Sequence, residues 1–430
     1  MILLGWGVED RLDEFLKPGQ RDATIRELGS VVGHYPKELA DLSGQRSLPL
    51  INSEGMSGQV QMWTDSLGRT YEYTPHSPEL LAEAEIGFSS EVTLALAEGS
   101  RALGSVPRFP SAGIATVLYR SESSASSLIE GVGPGPRRIL EAEFADVDEV
   151  NDEPARRVVG NLEALRAAIS TPVPAQVDDM LMWHRLLMED HPRMRQETIG
   201  ALRSEQNWIG GDSFGPKDAE HIPPSPDDVQ RLLEDLVGFS ARIDLTPVAL
   251  AAIAHAQFEV IHPFVDGNGR VGRALLQQIL VNRAGLDAPV PLSVPWSRNT
   301  DRYISGIRSF QDGDPDSWLL YASWSVIEAV DWMKQMAKGV EDAVERLRSR
   351  VETRGRSVAA KVIDDLPAHP VVDAQTVADR YDVAAQTAHE ALLRLAEAEV
   401  LVERPLSRRK KGRPRRVFAA TELIDLLSDR

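Results

Sequence analysis

The chain has 430 residues, of which 42% are hydrophobic and 26% charged, an ordinary globular composition with room for two or three cores. Its formal net charge of −18 argues against wholesale nonspecific binding to nucleic acid, and the absence of cysteine removes disulfides, thiolate nucleophiles and Cys-ligated zinc. No apolar run nears the roughly 20 residues that cross a bilayer, and the N-terminus lacks a basic n-region, so the expectation is a cytoplasmic protein without a membrane partner.

Residues 58–73 alternate around a turn at Asp65–Gly68 and predict a β-hairpin. Helical patterns follow over 77–103, interrupted near Gly87. From about Ala155 to Arg354 nearly every segment reads as helix, with caps and breakers between. Pro247 suits an early helical position, and Leu250, Ile253, Ala254, Phe258 and Ile261 then fall at helical spacing up to a break at His262-Pro263. A second apolar helix runs over Val271–Leu280, and Asp314–Arg354 reads as a long helix that turns charged and can link two domains. Beyond it, Asp373–Tyr381 and Ala384–Glu397 read as two helices across a short turn, followed by Val400–Glu403, a basic tract and Val417–Ala419. Residues 404–416 hold eight basic side chains and no acidic one. The expected fold is mainly α. Its parts are an N-terminal region (1–150), a helical core with a small β-hairpin flap (151–340), a helical linker (341–357) and a small C-terminal module (358–430).

The segment His262-Pro263-Phe264-Val265-Asp266-Gly267-Asn268-Gly269-Arg270-Val271-Gly272-Arg273 carries the chemistry. A helix ends, two glycines permit tight turns, and a helix starts whose backbone N–H groups and dipole favour an anion. Arg270 and Arg273, three apart, share one side of its first turn and suit a polyphosphate. Asp266 is an oxygen ligand suited to a magnesium ion that already carries phosphate oxygens. His262 can accept a proton near neutral pH. Taken singly, each of these residues has a bland alternative, such as a helix start or a capping histidine. His255, seven residues earlier, has no third metal ligand in view and reads as a core histidine.

The segment resembles the Fic family, whose signature HPFx[DE]GNGRxxR is matched at every specified position in His262–Arg273. What the resemblance implies is protein AMPylation with ATP as substrate and Mg2+ or Mn2+ as the metal. His262 would deprotonate a Ser, Thr or Tyr hydroxyl of a target protein, which attacks the α-phosphate, and Asp266 would hold the metal. Gly267, Asn268, Gly269 and Arg270 would bind the α- and β-phosphates, with Gly272 in the same loop and Arg273 on the γ-phosphate. A flap of Gln206, Asn207, Trp208, Ile209 and Gly210 through Ile222 would dock an extended piece of the target by main-chain hydrogen bonds. His221 and Ser225 depart from the family's more aromatic, proline-rich flap. Asn299 and Tyr303 are candidates for the adenosine side, with helix capping and packing as their alternative roles.

Ser126-Ser127-Leu128-Ile129-Glu130-Gly131 matches the family's inhibitory motif [ST]xxxE[GN], with the inhibitory helix expected around 121–135. The resemblance implies that Glu130, beside Ser126, occupies the Arg273 guanidinium meant for the γ-phosphate. Relatives with this glutamate can also remove AMP, which the sequence leaves open. The C-terminal module resembles a winged helix-turn-helix, with Gln386, Thr387, His389 and Arg394 on a recognition helix and Arg408, Arg409, Lys410 and Lys411 in the wing as candidate DNA contacts. A DNA-binding regulator whose Fic domain senses nucleotide or modifies itself is the alternative function. Whether the chain pairs as a homodimer is open.

Overall fold

A computed structural model of the chain describes residues 60–427, apart from 65–66, 110, 146–149, 193, 212–214, 353–354, 356 and 407–414. The predicted hairpin forms: β1 (Gln61–Thr64) pairs antiparallel with β2 (Thr70–Tyr73), and Tyr73 donates to Gln61 Oε1 at 2.7 Å. Trp63 on β1 meets Trp208 edge to face at 5.1 Å, which seats the hairpin beside the expected flap.

The helical reading of 77–103 holds only from Ser90, where α1 (Ser90–Gly104) starts under a Ser89 cap. Residues 77–89 are irregular because other elements capture their backbone groups. Asp235 accepts the Leu81 and Ala82 amides at 2.6 and 3.2 Å, Arg242 donates to the Leu81 and Ala84 carbonyls, and Gln257 donates to that of Glu79. Pro75 and Pro78 further disfavour a helix there.

Helices then dominate: α2 (Ala112–Ile129), α3 (Pro136–Phe144), α4 (Glu153–Ser170), α5 (Val177–Met188), α6 (Pro226–Ser240), α7 (Pro247–Ile261), α8 (Asn268–Ala284), α9 (Ser293–Arg298), α10 (Thr300–Gln311) and α11 (Pro315–Ser349). Pro247 stands in the first turn of α7, and the Thr246 hydroxyl accepts the Ala249 amide at 3.2 Å, as a helix start requires. All of α7 except Pro247 and Glu259 is buried. A helix apolar on every side belongs at the centre of a core, and α7 lies there against α8, α6, α11 and α1. Its last residue therefore reaches the site from a rigid, fully packed element. Among the described residues no helix is long and apolar enough to cross a membrane.

The C-terminal part contains α12 (Val358–Asp365), β3 (Val371–Val372), α13 (Ala374–Tyr381), α14 (Ala385–Glu397), β4 (Val402–Pro405), β5 (Arg416–Ala419) and α15 (Thr421–Leu426). The strands form an antiparallel sheet in the order β3-β5-β4. Its core is continuous with the rest: Ile363, Leu392, Leu395 and Phe418 cluster with Ile114 and Leu118 of α2 and Met333 and Val340 of α11. A polar clamp reinforces that contact. The buried Arg120 on α2 donates to the carbonyls of Pro367 and Ala368 at 3.1 and 2.7 Å and to Glu143 at 2.8 Å. Gly113, on the same helix, lies so close that a Cβ would sit 2.8 Å from Pro367.

Burial pushes the Glu143 carboxyl up, but Arg120 and Arg166 more than offset it and hold it below the usual glutamate value. Its contribution is thus present above the ordinary glutamate range and lost as pH falls through the lowered folded value. Arg120→Met removes one partner of this half-buried pair and leaves two carbonyls unpaired. It should cost about 3 kcal/mol in chemical denaturation at pH 7 and less at pH 3; an equal cost at both would exclude the ionic contribution.

Candidate active site

The chain leaves α7 through His262, which adopts the left-handed conformation at φ 49° and ψ 61°. For a residue with a side chain this costs roughly 1–3 kcal/mol and persists only where surroundings impose it. Here they are carbonyl acceptors around one arginine. Arg203, 3% exposed, donates from Nε to the His262 carbonyl at 2.9 Å and from its terminal nitrogens to the carbonyls of Pro224, Glu205 and Ile261, while its amide donates to Pro263. The His262 Nδ1–H faces the Glu259 carbonyl at 3.3 Å, which leaves Nε2 as the unprotonated nitrogen. Burial pushes its pKa down to about 4, so the ring is neutral near pH 7 and holds a basic lone pair.

From His262 the loop turns into α8 at Gly267, whose φ of 84° makes glycine the natural residue. Asn268 braces the turn: its side chain accepts from the Phe264 amide and donates to the Phe264 carbonyl, both at 2.8 Å. Below the turn, His184 accepts the Gly200 amide on Nδ1 at 2.9 Å and so donates from Nε2 to the Asp266 carbonyl at 3.0 Å, its ring stacked on Phe264. Asp266 is about half exposed; its Oδ1 takes the Gly267 amide at 2.5 Å and meets Arg270 at 3.5 Å, and its Oδ2 lies 3.9 Å from His191.

Arg270 and Arg273 stand on the first and second turns of α8, each 2% exposed. Among the described residues Arg270 Nε has no hydrogen-bond partner, and a terminal nitrogen makes only long contacts, 3.5 Å to Asp266 Oδ1 and 3.8 Å to Met188 Sδ. Such a buried, under-partnered donor needs an acceptor from outside the chain. Arg273 is fully engaged. It donates to the Ser126 hydroxyl (2.9 Å), the Ser126 carbonyl (3.0 Å), the Tyr303 hydroxyl (3.3 Å) and Glu130 Oε1 (2.7 Å). Glu130 is the residue that closes α2. Its carboxylate rests against Gly269, where a Cβ would lie 2.4 Å from Oε1, so the missing side chain lets an anion touch the backbone at the helix start.

Three further expected residues take these positions. Gly272, expected with the phosphate-binding loop, faces α7 instead: a Cβ there would meet Glu259, Phe258 and His255, so this glycine permits close helix packing. Tyr303 is 4% exposed, stacked on Trp296 at 4.7 Å and bonded between His255 Nε2 (2.8 Å) and Arg273, which makes it a brace behind the arginine. Asn299 is exposed, and its oxygen caps α10 by accepting the Arg302 amide at 3.2 Å. His255 is fully buried among Trp296, Trp318 and Tyr303, in keeping with its core reading.

In the flap region Ile209 and His221 pair as an isolated antiparallel bridge. Gln206 donates to the carbonyls of Asn207 and Pro223, and Asn207 donates to that of Phe264 at 3.2 Å, tying the segment to the loop that follows His262. Gly210 turns with φ 73°, Ile209 is 37% exposed, and the Ile222 carbonyl takes the His76 amide. The departure at His221 has a reason: its Nε2 donates to the Val260 carbonyl at 3.0 Å, anchoring the flap on α7. Ser225 stands at the start of α6.

On α14, Gln386 and Thr387 are exposed, with Gln386 bonded to Glu390 at 2.8 Å. His389 sits against Phe418, and Arg394 is turned onto the Glu352 carbonyl. Arg408, Arg409, Lys410 and Lys411 lie outside the described residues. Sequence reasoning missed His184 and Arg203. Each stands alone in an apolar or turn-forming stretch, and only the fold brings it under the loop.

With a left-handed histidine, an arginine-bearing helix start and a facing glutamate on one helical core in place, comparison with known proteins finds that the Fic/DOC family model matches residues 174–280 of the chain. The fold agrees with the crystal structure of a Fic family protein from Desulfovibrio desulfuricans G20, at a TM-score of 0.50 and 19% identity over 78% of this chain and 97% of that one. Among curated relatives, a "Protein adenylyltransferase Fic" of Drosophila willistoni is 29% identical over 184 residues, 41% of this chain and 33% of its own length. Another of that name from Nematostella vectensis is 33% identical over 154 residues, 34% of this chain and 32% of its own. A "Probable protein adenylyltransferase" of Aquifex aeolicus is 41% identical over 98 residues, 22% of this chain and 28% of its own. The chain thus spans about a third of the length of the curated relatives it matches.

The site makes a prediction of its own. By NMR of the labelled ring, His262 should remain neutral at pH 6 and take its proton near pH 4. A transition at the ordinary histidine value of about 6.5 would contradict the buried, Nε2-basic tautomer.

Proposed function

We propose that the protein is an adenylyltransferase that moves AMP from ATP to a hydroxyl of a target protein. The observation that carries this reading is the buried, under-partnered Arg270 at a helix start, one loop away from a neutral imidazole. The turn at Gly267, the amides of Asn268–Arg270 and the Arg270 guanidinium bind the α- and β-phosphates, and Arg273 receives the γ-phosphate. His262 Nε2 takes the proton of the target hydroxyl. The oxygen then bonds to the α-phosphorus as the bond to the bridging oxygen breaks, and pyrophosphate leaves. The flap edge around Ile209 holds the target chain extended across the site.

Asp266 fits a divalent cation, Mg2+ or Mn2+, because its exposed carboxylate offers one protein oxygen while phosphates and water supply the rest, the usual arrangement for magnesium. When bound, the ion neutralises charge on the phosphates.

Glu130 acts as an inhibitor in this scheme. Its carboxylate stands on the guanidinium and the glycine that the γ-phosphate needs, and its charge repels the triphosphate. Glu130→Gly should raise transfer from α-labelled ATP at least tenfold, and a further His262→Ala should abolish it with ATP still bound. Unchanged labelling in Glu130→Gly would remove the inhibitory role.

The C-terminal part is read as a winged helix-turn-helix, in which α13 and α14 form the helical pair, β4 and β5 frame the wing, and Gln386 and Thr387 stand open at the start of α14. The basic tract then neutralises DNA phosphates. In a fluorescence-anisotropy titration with duplex DNA, binding should weaken steeply with rising salt; no salt-dependent binding would exclude DNA as the partner.

A further inference from the structure

The function described above uses no residue between Glu130 and the flap, yet a buried arginine with four side-chain hydrogen bonds lies there beside the loop. Arg203 lies under the junction of flap and catalytic loop. Among the described residues no carboxylate bonds its guanidinium: its partners are the carbonyls of Glu205 and Pro224 on the flap side and of Ile261 and His262 on the loop side. Its amide adds Pro263. A guanidinium has five N–H donors in a fixed fork, so one rigid plane sets the distance between the two strands and the residue between them. The carbonyl it grips at 2.9 Å belongs to the one loop residue whose backbone is left-handed without being glycine.

We infer that Arg203 is the positioning residue of this site: it holds His262 in the strained turn that aims Nε2 and fixes the flap at the same time, so the base and the docked target strand share one reference. This rests on His262 acting as the base. The nucleotide nest on α8 is outside its reach, since Arg270 and Arg273 bond to Asp266, Met188, Ser126, Tyr303 and Glu130. Arg203 also adds to the forces that keep the His262 proton off, after burial itself. A buried cation held by carbonyls alone has itself a lowered pKa, pushed by burial to about 10, and still carries its charge at neutral pH.

The test uses the full chain in the Glu130→Gly background with R203K and R203Q. Misplacing a reacting group by about 1 Å costs on the order of 100-fold. Both variants should therefore lose at least tenfold in kcat while the Kd for ATP changes by less than threefold. R203K keeps the charge and should leave the acidic limb of the rate profile where it is. R203Q removes it, so the base binds its proton more readily and the limb moves to higher pH. If the Glu130→Gly parent transfers no AMP, the catalytic reading has failed, and the inference with it. If the parent is active, unchanged kcat in either folded variant overturns the inference alone. So does a parallel loss of kcat and ATP affinity, or unfolding of both variants by circular dichroism, since Arg203 would then be a fold determinant only.

Discussion

A guanidinium that is 2% exposed must find its partners inside the molecule or from a ligand, because an isolated buried charge costs several kcal/mol. Two such groups stand one turn apart on α8, and their unequal satisfaction organises everything near them. Arg273 is saturated by Ser126, Tyr303 and Glu130, which fixes α2 across the core and draws a carboxylate against Gly269. Arg270 is left short, and with the open N–H groups of the helix start it makes a place where an anion is wanted. One arginine builds the resting structure and the other defines what can enter it.

The histidines illustrate how the same residue type is put to different uses by its neighbours. His255 accepts from Tyr303, His184 bridges Gly200 and Asp266, and His221 anchors the flap on Val260. Burial lowers all three, to about 3 or 4, so each serves as a neutral hydrogen-bonding plate. His184 and His221 are bonded through both ring nitrogens, while the buried His255 leaves Nδ1 without a hydrogen-bond partner among the described residues. His262 shares their neutrality, holds the protein through Nδ1 at Glu259, and stands at the end of a rigid helix.

Much of this was legible beforehand, for reasons that differ by element. The helix α7, the break at His262 and the restart at Asn268 follow from apolar periodicity, glycine and proline, which are local signals. The hairpin at 61–73 and the C-terminal order of helices and strands were readable for the same reason. The irregular stretch before Ser90 was not, because its conformation depends on Asp235, Arg242 and Gln257, more than a hundred residues away. Arg203 and His184 escaped notice because a lone polar residue announces a partner only in three dimensions. Gly272 lies in the matched segment and Tyr303 beyond it, but both face inward, and a sequence does not record which side of a helix each position presents.

The clamp at Arg120 has a geometric consequence for the far end of its helix. From Arg120 to Glu130 is ten residues, a rigid arm of about 15 Å at 1.5 Å per residue. Tilting the arm by about 4° about that fulcrum carries its tip about 1 Å, enough to stretch the 2.7 Å contact between Glu130 and Arg273 beyond hydrogen-bonding range. The carbonyls that pin the fulcrum belong to Pro367 and Ala368. One helix thus joins the seating of the C-terminal part to the contact between one carboxylate and one guanidinium at the site.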